Sequence, residues 1–446
     1  MTNNSPPGPK GKLVTGNLDE FQVDPLKFLR HLRSKYGDFV KFRLGPFQNI
    51  YLINEPELIK EVLVTKHKSF VKSKDIQTLK TVLGDGLLTS EKDKHKTQRR
   101  LIQPSFTRSR IMGYGKDMID TTSLYISSWK NGELRTISED MMNLTLGIIS
   151  KTMFSMDLKE GAQVIGGPMD TVMKQSIKRM RSLIKLPLWL PTPQNRKLKH
   201  AIQALDDVLY EIINKRKQEQ EDTYEDLLSV LMKAKDSGEN IGMSDIQLRD
   251  ELMTIFLAGH ETTANALTWT FYLLSRHPNV EKKFNQEIDT VLGSNPLAPE
   301  HYKDLTYTQC IVWESLRLYP PAYVIGRQVE TDVQIGNYQL RKGEMVLMSQ
   351  YVAHRNETYF AEPDSFIPER FEDGLMKSLP TYAFFPFGGG PRVCIGNHFS
   401  LMETVLVLAC IGQKYQLILS DDALLHPLPL ITLRPKGGLK MFVKER

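Results

Sequence analysis

The sequence predicts a mainly α fold, a large helical domain carrying small peripheral β-sheets. Three observations lead there. Helical apolar periodicity dominates from about residue 112 to 318. Strand character is confined to short stretches near the start, around residues 324–350 and at the C-terminus. No internal repeat, low-complexity tract or Gly/Ser linker divides the 446 residues, so one domain is expected from 1 to 446.

Each element follows from its own residues. Residues 1–12 are polar and proline-rich (Pro6-Pro7-Gly8-Pro9), without the apolar core of a secretory signal. Short strands at 39–42 and 50–53 flank a turn at Gly45-Pro46. His95 and Arg99 stand four residues apart in a basic helical stretch with Lys92, Lys94 and Lys96, and so share a face. Pro187 and Pro191 break helices around Trp189 and mark a loop. Residues 215–222 read as a charged, exposed helix end. A strongly apolar helix (Leu252, Ile255, Phe256, Ala266, Leu267, Trp269) is interrupted by Ala258-Gly259-His260-Glu261-Thr262-Thr263. Gly259 weakens that helix, and a threonine can bond back to the carbonyl four residues earlier, so a local kink is expected. Glu314 and Arg317 are i and i+3 on a helix that Tyr319-Pro320-Pro321 ends. Turns at Gly336-Asn337 and Lys342-Gly343 punctuate the strands of 324–350, and residues 431–443 read as a hairpin around Lys436-Gly437-Gly438.

Composition excludes several classes. A hydrophobic content of 41% describes a soluble globular chain with ample core. The three cysteines, Cys310, Cys394 and Cys410, are odd in number and widely spaced, which excludes a disulfide framework and a four-cysteine zinc site and suits a reducing compartment. A net charge of +6 without interleaved aromatics argues against nucleic-acid binding. No apolar run approaches the roughly 20 residues of a membrane span. The expected location is the cytoplasm, unless the chain is a truncated form of a membrane-anchored protein. His260-Glu261 begins a zinc-protease signature, but the second histidine would fall at Ala264, so that reading is rejected.

The richest stretch is Phe387-Gly388-Gly389-Gly390-Pro391-Arg392-Val393-Cys394-Ile395-Gly396. It sets one cysteine in a glycine-dense loop, two residues after a cation and directly before a helical pattern. The glycines let the backbone approach a flat ligand. A cation and a helix N-terminus favour the thiolate. A lone thiolate suits haem iron, whose other ligands the porphyrin supplies. Five such positions recur by chance on the order of once in ten thousand chains of this length.

This loop resembles the haem loop of the cytochrome P-450 superfamily, the haem-thiolate monooxygenases. The resemblance extends over the chain from about Pro6 to the C-terminal hairpin, and residues 1–17, with Pro6-Pro7-Gly8-Pro9 and Gly16-Asn17, resemble the family's proline-rich hinge. Ala258 to Thr262 are similar to the oxygen-activation motif, Glu314 to Arg317 to ExxR, and Pro368-Glu369-Arg370-Phe371 follows at the family's interval. It implies the cytochrome P-450 fold and a haem b (iron protoporphyrin IX) held by Cys394 as axial iron ligand. It further implies cofactor contacts from Ala258, Phe387, Arg392 and Gly396, and propionate contacts from His95, Arg99, Arg327 and Arg392. Glu261 and Thr262 would be the catalytic acid–alcohol pair that relays protons. Glu314, Arg317 and Arg370 would be a buried structural triad. His95, where many members carry Trp, points to a soluble bacterial-type member.

The implied activity inserts one oxygen atom from O2 into an apolar substrate of fatty acid, terpenoid, steroid or polyketide type. Neither a GxGxxG fingerprint nor a phosphate loop is present. Electrons derived from NAD(P)H are therefore expected from a separate partner, a ferredoxin or flavodoxin with its reductase. By family position, the substrate pocket would draw on 71–88, 169–189, 253–262, 322–325 and 430–431. Two rival readings are a peroxide-driven peroxygenase, whose members typically lack the acid–alcohol pair, and a non-catalytic haem gas sensor or carrier.

Overall fold

The computed structural model describes residues 5–156, 158–181, 187–219, 226–233, 235–236, 239–372, 374–421 and 424–446. Parts of the charged stretch at 215–222 and of the pocket segment at 169–189 lie outside them. The chain is mainly helical with small sheets and forms two compact units.

The first unit comprises residues 1–74, 310–394 and 427–434. Its centre is a five-stranded mixed sheet in the order Phe39–Leu44, Gln48–Ile53, Met345–Met348, Ile325–Val329, Phe70–Lys72. Gly45, at φ +75°, makes the turn between the first two strands, which pair antiparallel from Phe39 opposite Ile53 to Leu44 opposite Gln48. Met345–Met348 is buried along its whole length, as a central strand covered on both faces must be. On one face, helix Pro25–Tyr36 sets Leu29 and Leu32 against Val40, Phe42, Ile50 and Leu52. Asp24 caps that helix by accepting from Lys27 N at 3.0 Å, and Pro25 opens it. The other face packs Tyr51, Ile53, Val346 and Met348 against Tyr382 and Phe385. The proline-rich start lies along the sheet's edge, where Lys41 N donates to Pro7 O at 2.9 Å. A Cβ on Gly8 would stand 1.7 Å from Lys41 O, so only glycine permits that approach.

The second unit comprises residues 75–309, 395–426 and 435–446. One helix, Asp245–Arg276, runs through it and is buried on nearly every side. That explains its two apolar runs, Leu252 to Leu257 and Ala266 to Leu274, since a helix surrounded by protein is apolar on every side. Its N-terminus carries a capping box: Gln247 N donates to Ser244 Oγ at 3.3 Å, and Ser244 N donates to Gln247 Oε1 at 2.9 Å. Helices Ile137–Phe154, Pro193–Gln218 and Asn397–Lys414 pack around it. The helix runs unbroken through Gly259. A Cβ there would lie 2.7 Å from Ile149 Cδ1, so this glycine serves the close approach of helix Ile137–Phe154.

One sequence expectation is corrected. Residues 431–443 do not form a hairpin. Leu433–Pro435 pairs with Pro427–Pro429, whereas Lys440–Glu445 joins Tyr415–Leu419 and Leu134–Thr136 in a three-stranded antiparallel sheet. Gly437 and Gly438 do turn the chain, at φ +85° and +79°. The edge left open by Tyr415–Leu419, already in register from Tyr415 opposite Glu445, takes the last strand instead.

Candidate active site

In the first unit the cysteine loop is built by glycines. Gly388 and Gly390 have φ +72° and +65°. A Cβ on Gly390 would stand 1.9 Å from Leu63 O, and one on Gly389 would stand 2.3 Å from the Tyr382 ring. The loop closes through Cys394 N donating to Phe387 O at 2.9 Å and Val393 N donating to Gly390 O at 3.0 Å. Its outcome is an exposed Cys394 next to partly exposed Arg392 and Phe387. Cysteine is among the most buried residue types. Cys310 and Cys410 follow that rule at 7% and 3% exposure, and burial pushes the Cys410 thiol up. Cys394 breaks it. Arg327, also partly exposed, sits on strand Ile325–Val329 with Nη1 donating to Gly326 O at 3.0 Å.

Behind the loop, Phe387 meets Trp313 edge-on, with centroids 6.1 Å apart. Trp313 belongs to helix Thr306–Leu318, which also carries Glu314 and Arg317, both fully buried. Arg317 Nε donates to Glu314 Oε2 at 2.6 Å and Nη2 to Oε1 at 2.8 Å, a bidentate pair. The remaining guanidinium donors hold the carbonyls of His354, Pro363 and Ser365 at 3.0, 2.6 and 2.9 Å. Ile367 N and, at 3.3 Å, Arg370 Nε donate to Glu314 Oε1. One ion pair thus pins five points of the 354–370 segment.

His354 was not legible in the sequence. Its Nε2 accepts from Phe385 N at 2.9 Å, while its own carbonyl is held by Arg317. Burial, helped by Arg317 and Arg355, lowers its pKa well below the usual value. The ring is therefore neutral with its proton on Nδ1, and it ties the ion pair to the stem of the cysteine loop.

In the second unit His95 and Arg99 do share a face of helix Lys92–Ile102, His95 buried and Arg99 partly exposed. On the long helix, Glu261 is 2% exposed. Thr262 is partly exposed, and its hydroxyl donates to Ala258 O at 2.7 Å. Ala258 is exposed although Phe256 and Leu257 before it are buried. Ala258 and Thr262, one turn apart, are thus an open spot on a core helix. Thr145, also unforeseen, donates to His260 O at 3.0 Å from the neighbouring helix. Gly396 caps helix Asn397–Lys414, and a Cβ there would sit at ordinary contact distance, 3.6 Å, from the Phe106 ring.

An exposed thiol on a glycine-built loop is what a thiolate-ligated planar cofactor needs from its protein. The cytochrome P-450 family model matches residues 6–441. This chain belongs to the cytochrome P-450 family. Cyclooctatin synthase of Streptomyces melanosporofaciens is 33% identical over 98% of this chain and 95% of its own length. Pentalenene oxygenase of Streptomyces avermitilis is 31% identical over 97% and 96%. Cytokinin hydroxylase of Arabidopsis thaliana is 31% identical over 98% and 90%. As a cytochrome P-450 the chain is an oxygen-incorporating oxidoreductase of the haem-thiolate type. The first unit's residues suit haem: one exposed cysteine sulfur, with partly exposed Arg327 and Arg392 of a chemistry suited to carboxylates. Among the described residues, no helix is long and apolar enough to cross a membrane.

Proposed function

We propose that this cytochrome P-450 hydroxylates or epoxidises a cyclic terpenoid, using electrons from a separate ferredoxin or flavodoxin and its reductase. The exposure of Cys394, alone among three cysteines, carries the thiolate part of this reading. The names of two bacterial relatives support the substrate class. Pentalenene oxygenase and cyclooctat-9-en-7-ol 5-monooxygenase are named for an unsaturated hydrocarbon and an unsaturated alcohol.

Haem, when bound, supplies the activation of dioxygen. The rest of the work belongs to the chain. Cys394 offers the sulfur ligand, and its loop, braced by the Arg317–Glu314 pair and His354, holds that sulfur in place. Arg392, Arg327, Arg99 and His95 would hold the propionates. Ala258 leaves room beside the long helix because its side chain is a single methyl. Thr262 donates its own proton to Ala258 O, so the lone pairs of its Oγ remain to accept a proton-bearing group on the open side. Glu261, adjacent and buried, is the ionisable group that feeds protons to this turn. Water is kept out by the apolar flanks Phe256, Leu257 and Ala264.

The test is a spectral titration of purified holoenzyme with a panel of cyclic terpenes, fatty acids, steroids and macrolides, followed by product analysis with a reconstituted electron supply. Spin-state change and product from cyclic terpenes are expected. Turnover confined to another class overturns the substrate assignment.

A further inference from the structure

The long helix carries a second polar feature, ten residues before the acid–alcohol pair. Glu251, Ile255, Ala258 and Thr262 are spaced four, three and four apart, so they form one stripe. Glu251 lies eleven residues, about 16 Å, from Thr262 along it. It is fully buried, as is Thr254 beside it at 4% exposure.

What buries them is a strap, residues 84–87. Asp85 N donates to Asp250 Oδ2 at 2.7 Å, and Leu87 N donates to Glu251 Oε2 at 2.9 Å. Gln98 Nε2 holds Asp85 O at 2.7 Å, and Thr89 Oγ1 holds Gly84 O at 2.7 Å. The seating is tight. A Cβ on Gly84, which has φ +60°, would be 1.9 Å from Asp250 Oδ1, and one on Gly86 would be 2.4 Å from Thr254 Oγ1. Yet the seam is not fully bonded. Glu251 Oε1, Thr254 Oγ1 and Gln98 Oε1 are buried without a hydrogen-bond partner. A seam of strong bonds beside orphaned polar atoms has a low cost of opening, because water would satisfy what the closed form leaves unpaired.

We propose that residues 84–87 form a strap latched by Glu251 over the N-terminal end of the Ala258–Thr262 face, and that releasing this latch admits bulky molecules to that face. What the strap admits rests on the functional reading above; the latch itself does not. Glu251 is a positioning residue, acting through the strap.

Protonation gives the latch a distinctive signature. Burial pushes the Glu251 carboxyl up to about 8; the Leu87 N–H and Lys94 pull it down, while Asp250 and Asp85 push it further up. The charged groups around it come from every packed element. Lys80 and Lys94 bind Asp85 at 2.8 and 2.7 Å, and Arg249 bridges Asp250 at 3.1 Å and Asp206 at 2.7 Å. His95 stands next to Lys94. Burial opposes the charge on Asp85, but its two lysines outweigh burial and hold it below the usual range. Closed, the strap keeps the proton on Glu251 up to about pH 8; opened to water, the carboxyl returns toward 4.5. The opening constant therefore rises roughly tenfold per pH unit up to about 8, then levels off.

Hydrogen–deuterium exchange of the holoenzyme at pH 6, 7, 8 and 9, corrected for intrinsic rates, tests this at the Asp85 and Leu87 amides. Protection falling about tenfold per pH unit from 6 to 8, then flat, is expected. Glu251→Gln removes the slope, whereas a contribution from His95 would persist in it. Glu251→Asp withdraws the acid by one methylene and lowers Leu87 protection already at pH 6. The binding rate of 4-phenylimidazole to the haem, measured against that of imidazole, follows the same pH curve in the parent and is flat in Glu251→Gln. Protection independent of pH in the parent, an unchanged slope in Glu251→Gln, or full Leu87 protection in Glu251→Asp overturns the latch. If exchange shows the slope but the two imidazoles bind alike at every pH, the latch stands and its control of access is refuted.

Discussion

Replacing Arg317 is the severest single test of how the cysteine loop is held. The guanidinium is fully buried and makes five hydrogen bonds, two to Glu314 and three to the carbonyls of His354, Pro363 and Ser365. Arg317→Ala leaves the Glu314 carboxylate buried with only Ile367 N at 2.9 Å and Arg370 Nε at 3.3 Å. Breaking a buried pair from one side costs about 3–5 kcal/mol. Each orphaned carbonyl adds about 1 kcal/mol or more. The total, about 6–8 kcal/mol, matches the whole stability of many domains, so little soluble protein is expected. Arg317→Lys keeps the charge but has at most three donors for five bonds. It should survive with a loss of about 2–4 kcal/mol. Urea unfolding of parent and Arg317→Lys, beside the soluble yield of Arg317→Ala, measures both. A normal yield of Arg317→Ala with an unfolding free energy within about 0.5 kcal/mol of the parent would refute this reasoning, since that is the range of ordinary surface substitutions.

Two further perturbations reach the site itself. Thr262→Ala removes a hydroxyl that donates to Ala258 O within its own helix, so haem content and substrate affinity should stay near parental values. Product formed per NAD(P)H consumed should fall, with peroxide rising; equal coupling would move the relay elsewhere. Gly390→Ala forces a side chain onto a residue at φ +65° whose Cβ would lie 1.9 Å from Leu63 O. The loop must shift, so haem content should drop while far-ultraviolet circular dichroism stays unchanged; full haem occupancy contradicts the packing argument.

Family and fold were legible because their signals are local. Phe387 to Gly396 needs only ten consecutive residues, and the i, i+3 spacing of Glu314 and Arg317 places them on one helical turn. The closing strands were not legible. Residues 431–443 carry a turn and two apolar runs, and nothing local says that Lys440–Glu445 prefers the edge of Tyr415–Leu419. His354 and the Glu251 strap were missed for the same reason. A histidine 31 residues before its Phe385 partner and a glutamate 164 residues after Leu87 acquire meaning only through packing. Glu403 belongs with them. It is 1% exposed, and burial, opposed by the nearby Thr263 hydroxyl, raises its pKa well above the usual range.

The central claim is that Cys394 is the sulfur that binds haem iron. The reduced carbon monoxide complex measures it directly, because thiolate ligation shifts the Soret band to the red. The parent, Cys310→Ser and Cys410→Ser should all show the shifted band, since the last two cysteines are buried in the core. Cys394→Ser should lose it. A Cys394→Ser protein that kept the thiolate spectrum would contradict the account.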